Sequence, residues 1–183
     1  MKYFDVFISY AFEDSDFVEF LVKTLKTRGI SCWQSQFQIR SGAWRSDVEE
    51  AIGSSGTFIP IISHSAVKSD EVSKECEVAL GLEKEIMPIY LDNCRPPYGL
   101  ADLQRAEYFK DKKGALSIVE KFLNAAFEKR RNREIRSIHR SRDFLSNAVE
   151  RFIPLSYESI SEGVSGAKDG YQTDLVNLVE RAM

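Results

Sequence analysis

Phe4-Asp5-Val6-Phe7-Ile8-Ser9-Tyr10 is an apolar run carrying one acid and one hydroxyl, with polar residues soon after. It is too short for a helix and reads as a buried strand. Residues 58–62 and 86–91 are two more apolar runs of that kind. Near-continuous apolar strands are the mark of a parallel sheet covered on both faces.

The segments between them read as helices and short strands. Asp14-Ser15-Asp16 caps a helix whose apolar positions Phe17, Phe20, Leu21 and Leu25 recur at helical spacing, and Arg28-Gly29 closes it. Residues 30–33 form a short second strand, and 34–44 a polar loop containing Gly42. Ser46-Asp47-Val48-Glu49 fits a capping box, with Val48, Ala51 and Ile52 on one apolar face. Residues 70–82 and 116–127 read as helices and 106–110 as a weaker fifth strand. This alternation predicts an α/β fold: a flavodoxin-like, five-stranded parallel sheet of order 2-1-3-4-5 over residues 4–127. Pro60 and Pro88 oppose it, because proline cannot donate to a ladder. Their apolar flanks keep both segments as strands.

The chain divides on composition into a domain over residues 1–130 and a mostly helical C-terminal extension over 131–183. Residues 128–151 hold eight basic residues against four acidic ones, and this run reads as a solvated helix face over buried Ile135, Ile138, Phe144, Leu145 and Val149. Residues 153–170 are rich in Ser and Gly, and 175–182 look like a last amphipathic helix.

A net charge of −3 gives no bulk attraction to nucleic acid, and neither a nucleic-acid nor a membrane partner is expected. No apolar run approaches the roughly 20 residues of a membrane span, and Met1-Lys2 leads straight into the first strand with no secretory pattern. Cys32, Cys76 and Cys94 are odd in number and show no metal-ligand spacing. A reducing cytoplasm is the simplest compartment.

One carboxylate stands in the wrong place. Wound at about 100° per residue, the 70–86 segment puts Val72, Cys76, Ala79 and Leu80 on one arc, and Glu75 falls inside it. Lys74, Glu77, Lys84 and Glu85 fall outside, while Glu83 joins the arc near the frayed end. Burying a carboxylate is costly unless it is paired or lines a cavity. The helix follows the third strand, which with the first flanks the switch point where open α/β sheets bind ligands. Either Glu75 serves that site, or it is paired with Arg40 or Arg45.

The 4–10 run, Ile39-Arg40-Ser41-Gly42-Ala43-Trp44-Arg45 and Ser69-Asp70-Glu71-Val72-Ser73-Lys74-Glu75-Cys76 stand in an order and spacing that resembles a Toll/interleukin-1 receptor (TIR) domain of bacterial type. The likeness covers about residues 4–127. In enzymatic members the helix after the third strand carries a catalytic glutamate in a Trp-x-x-x-Glu pattern. That glutamate aligns with Glu75, while Glu71 replaces the tryptophan. A loop ending Gly-x-aromatic, whose ring stacks on nicotinamide, aligns with Gly42-Ala43-Trp44. After Tyr10, where some NAD-cleaving relatives carry arginines, this chain has Ala11 and Phe12. Phosphate contacts then fall to Arg40, Arg45 and Lys68.

The resemblance implies an NAD glycohydrolase or ADP-ribosyl cyclase in immune or stress signalling, such as antiphage defence, activated by self-assembly. NAD would be substrate rather than cofactor, and no metal is called for. Assembly with itself or other TIR domains would use the 34–46 loop. The other reading is a non-catalytic TIR interaction module in which Glu75 is structural. A phosphoacceptor receiver of similar fold would need clustered acids at the end of strand one and a lysine at the end of strand five. Lys110 could fill the second role, but Asp5 lies too early for the first.

Overall fold

The structure, a computed structural model, describes residues 3–34, 44–97 and 99–161, with the backbone alone at 44–47 and 148–161. The strands are β1 (Phe4–Ser9), β2 (Cys32–Gln34), β3 (Ser55–Ile62), β4 (Glu85–Ile86), β5 (Ile89–Tyr90) and β6 (Ala106–Glu107). The helices are α1 (Ser15–Lys26), α2 (Trp44–Gly53), α3 (Asp70–Gly81) and α4 (Lys112–Ser161). Contacts divide the chain into two compact units, Met1–Asn132 and Arg133–Met183.

All pairings in the first unit are parallel, in the order β2-β1-β3-β5-β6, with β4 also against β3. β4 and β5 are two halves of the expected fourth strand, so the five-strand order is the one the sequence predicts. The sheet carries a core on each face. Val6, Ile8, Ile59, Ile61 and Ile89 pack with Leu21 of α1 and Leu123 of α4. Phe7, Phe58 and Ile62 pack with Ile52 of α2 and Val72 and Ala79 of α3. The single acid of β1 is also explained: the Asp5 carboxylate accepts from the backbone N–H and hydroxyl of Ser31 at 2.8 and 2.6 Å, fixing the entry to β2.

The break in the fourth strand has a simple cause. The register Phe58↔Ile86 and Ile61↔Ile89 sets Pro60 opposite Pro88. The Phe58 and Ile62 carbonyls accept from Met87 and Leu91, so the backbone of Pro60 also faces the fourth strand and withholds a donor there. The Pro88 carbonyl accepts from Ala106 at 2.9 Å, so its missing N–H faces the β6 side. One proline interrupts the ladder; the other faces the last strand, where interruption is tolerated.

Several boundaries move. α2 begins at Trp44, so Ser46 lies inside the helix and is not its cap; the buried face of Val48, Ala51 and Ile52 holds. α1 has Asp14 at its N-cap without a side-chain cap bond, because that carboxylate is used elsewhere. β6 is shorter than expected. α4 starts at Lys112, where the Asp111 carboxylate accepts from the Gly114 N–H at 3.0 Å, and runs on to Ser161. Ile135, Ile138, Phe144 and Leu145 are exposed, not buried as read from the sequence. The expected helix over 175–182 lies outside the described residues.

Candidate functional site

α3 is built to place its carboxylate. Ser69 caps it, accepting from the Val72 N–H at 3.3 Å, with Asp70 and Glu71 favourable in the first turn. Val72, Cys76 and Ala79 are then wholly buried against the sheet, and Glu75 is carried in with them at 1% exposure. Lys74 and Glu77 are exposed, as the wheel predicts. Glu83 is not a second buried acid. It is exposed and takes the left-handed φ of 51° that ends the helix, while Lys84 donates back to the Ala79 carbonyl at 3.0 Å.

Glu75 bears electrostatically on its neighbours. Burial pushes the Cys76 thiol up to about 12, with Glu75 and Glu77 adding to the shift. Burial also raises the Tyr10 phenol, with Glu19 and then Glu75 contributing. Glu75 of α3 and Tyr10 at the end of β1 therefore share one end of the sheet, beside the β1–β3 switch point. Tyr10 and Ala11 are buried there, while Phe12 projects at 71% exposure from a single 3-10 turn, Phe12–Asp14.

Lys68 lies in another 3-10 turn, Ala66–Lys68, between β3 and α3, and is exposed. Trp44 and Arg45 are the first two residues of α2, and of their side chains nothing is described. Arg40 and Gly42 lie outside the described residues. The structure thus brings Tyr10, Ala11 and Glu75 together and sets Phe12 and Lys68 on the loops that follow β1 and β3.

A polar group missed by the sequence reading frames the same carboxyl ends. Ser63, directly after β3, donates to the Asp14 carboxylate at 2.6 Å and accepts from the Ala66 N–H at 3.0 Å. Asp92, just beyond β5, accepts from the His64 N–H at 2.8 Å. Burial raises the Asp14 carboxyl, and Asp92 and Glu13 raise it further, against the Ser63 hydrogen bond. The only sequence signal was a serine immediately after an apolar strand. Lys110 is held by Glu107 at 2.6 Å. Among the described residues no group of three potential metal ligands assembles, and no helix is long and apolar enough to cross a membrane. The three cysteines are free thiols.

The TIR-domain family profile matches residues 6–123. The chain belongs to the TIR-domain family. It is 36% identical over 92 residues to the NAD(+) hydrolase PdTIR of Paracoccus denitrificans (strain Pd 1222). That match covers 47% of this chain and 31% of the relative, so the chain spans about a third of that protein's length. The crystal structure of the TIR domain of the Toll-related receptor TRR-2 from Hydra magnipapillata superposes with a TM-score of 0.56 at 24% identity. It covers 67% of this chain and 98% of the receptor domain, and shows the fold.

Proposed function

We propose that this TIR domain cleaves the nicotinamide–ribose bond of NAD, with Glu75 as the catalytic carboxylate. The observation that carries the reading is the burial of Glu75 among Val72, Cys76 and Ala79 at the end of the sheet where α/β folds bind ligands. The partial likeness to an NAD(+) hydrolase supports the choice of substrate.

Nicotinamide departs as a neutral base from a cationic pyridinium, so the leaving group needs no proton. The C1′–N1 bond breaks with its electron pair going to nicotinamide, and positive charge develops on the ribose, as in glycoside cleavage. The Glu75 carboxylate would accept hydrogen bonds from the ribose hydroxyls and stabilise that charge. Trp44 would stack on nicotinamide, and Arg40, Arg45 and Lys68 are the candidates for the pyrophosphate. Water adding to C1′ and losing a proton gives ADP-ribose; an atom of the same molecule gives the cyclic product. At 1% exposure Glu75 must be uncovered before a ribose reaches it, which supports activation by assembly through the 34–46 loop.

Nicotinamide release from NAD, measured beside melting temperature, tests the assignment. Glu75→Ala and Glu75→Gln are expected to lose activity by at least about 10²–10³-fold with folded protein retained. Exposed Glu77→Ala should change neither. A stable Glu75→Ala protein cleaving NAD at the parent rate would refute the reading. A parent without activity under assembling conditions would favour the interaction module.

A further inference from the structure

The second unit carries an uncovered apolar stripe. Ile135, Ile138 and Leu145 of α4 are 44%, 68% and 61% exposed. With Arg142 they are spaced three, four and three residues apart, and the sequence continues that spacing to Val149 and Phe152. A mean step near 3.5 residues is the spacing at which apolar residues line the seam between two helices. We propose that residues 135–152 form the seam of an antiparallel helical dimer between two copies of this chain.

Charge sets the direction. Over residues 133–142 four arginines stand against one acid, Glu134, whereas over 143–161 three acids stand against one base, Arg151. Parallel copies would lay the basic halves side by side and stack Arg142 on Arg142. Antiparallel copies centred on the stretch lay the basic half of each against the acidic half of the other. Arg142 then meets Leu145 of the other copy, and Ile138 meets Val149. A polar residue at one seam position specifies register and orientation at some cost in stability. The seam is roughly two and a half heptads, shorter than the 3–4 that mark a sustained coiled coil, so the dimer dissociates on dilution.

Sedimentation velocity of the full chain across a dilution series is the test. A monomer–dimer equilibrium is expected, weakened by salt. Leu145→Lys should raise its dissociation constant by at least about tenfold, because the seam then sets a second cation against Arg142 of the other copy. Leu145 is 61% exposed, so melting of the sheet unit should not change. A chain monomeric at every concentration, or a dimer indifferent to Leu145→Lys, overturns the proposal. Ile138→Cys reads the orientation by peptide mapping after oxidation. Antiparallel copies separate the two substituted positions by about 16 Å along the axis, beyond the roughly 7 Å that a disulfide spans. A disulfide joining the two introduced thiols in good yield would overturn the antiparallel arrangement.

Discussion

Asp14 and Glu75 show how differently two acids are placed at one end of the sheet. Glu75 is carried inward by the helix it sits on, whereas Asp14 is turned from its helix to accept from Ser63. Burial raises the Asp14 carboxyl above its ordinary 3.8, so the folded protein holds the proton more tightly than the unfolded chain. The sign follows from linkage. Below 3.8 the group favours folding fully, and that contribution is lost as pH rises through the folded value. Asp14→Asn keeps an acceptor for Ser63 but cannot ionise. Its melting temperature at pH 7 should exceed the parent's, and the difference should close as pH falls toward 3.8; a constant difference from pH 3 to 7 would show that ionisation of Asp14 does not matter.

Elements are stopped by local devices that can be tested singly. After α1, Gly29 adopts a φ of +76° and donates to the Lys26 carbonyl at 3.0 Å. A Cβ there would touch nothing within 4 Å, so substitution costs only backbone strain. Gly29→Ala should lower stability by about 1–2 kcal/mol, and Gly29→Asn by less, since asparagine tolerates that conformation. Denaturant unfolding of the two variants separates strain from packing. The Arg28-Gly29 stop was legible in sequence because it is a property of one residue. The inward turn of Glu75 was legible too, because helix periodicity alone sets it. The Ser63–Asp14 contact was not: 49 residues separate its partners, and the local pattern around Asp14 spells a cap. The charged stretch of α4 was legible as helix, but the exposure of Ile135, Ile138, Phe144 and Leu145 was not, because periodicity marks an apolar face without saying what covers it. Pro60 and Pro88 signalled a fault in the sheet, but only the register reveals which neighbour each one faces.

For the whole molecule, the proposed activity depends on a side chain that solvent scarcely reaches. If a neighbour docking at the 34–46 loop uncovers Glu75 and sets Trp44 over nicotinamide, turnover should rise faster than linearly with protein concentration or crowding. Gly42→Pro, which stiffens that loop, should depress the steep part of the curve. Leu145→Lys separates the loop contact from the α4 contact, since it lies in the other unit. A rate strictly proportional to concentration over a wide range, unchanged by Gly42→Pro, would remove the assembly requirement.

The proline in β3 also has a mechanical meaning. The fourth strand is bonded to β3 in two short spans, one below the Pro60 position and one above. Torsion applied to the upper span, which leads into Asp92, crosses a step that lacks its rung and is only partly handed down. The lower span begins at Glu85, where Lys129 of α4 is fastened, and Arg130 lies 3.7 Å from the centre of the Tyr3 ring. The carboxyl-end rim of the sheet is thereby joined to its base by one rung fewer than an unbroken strand would give.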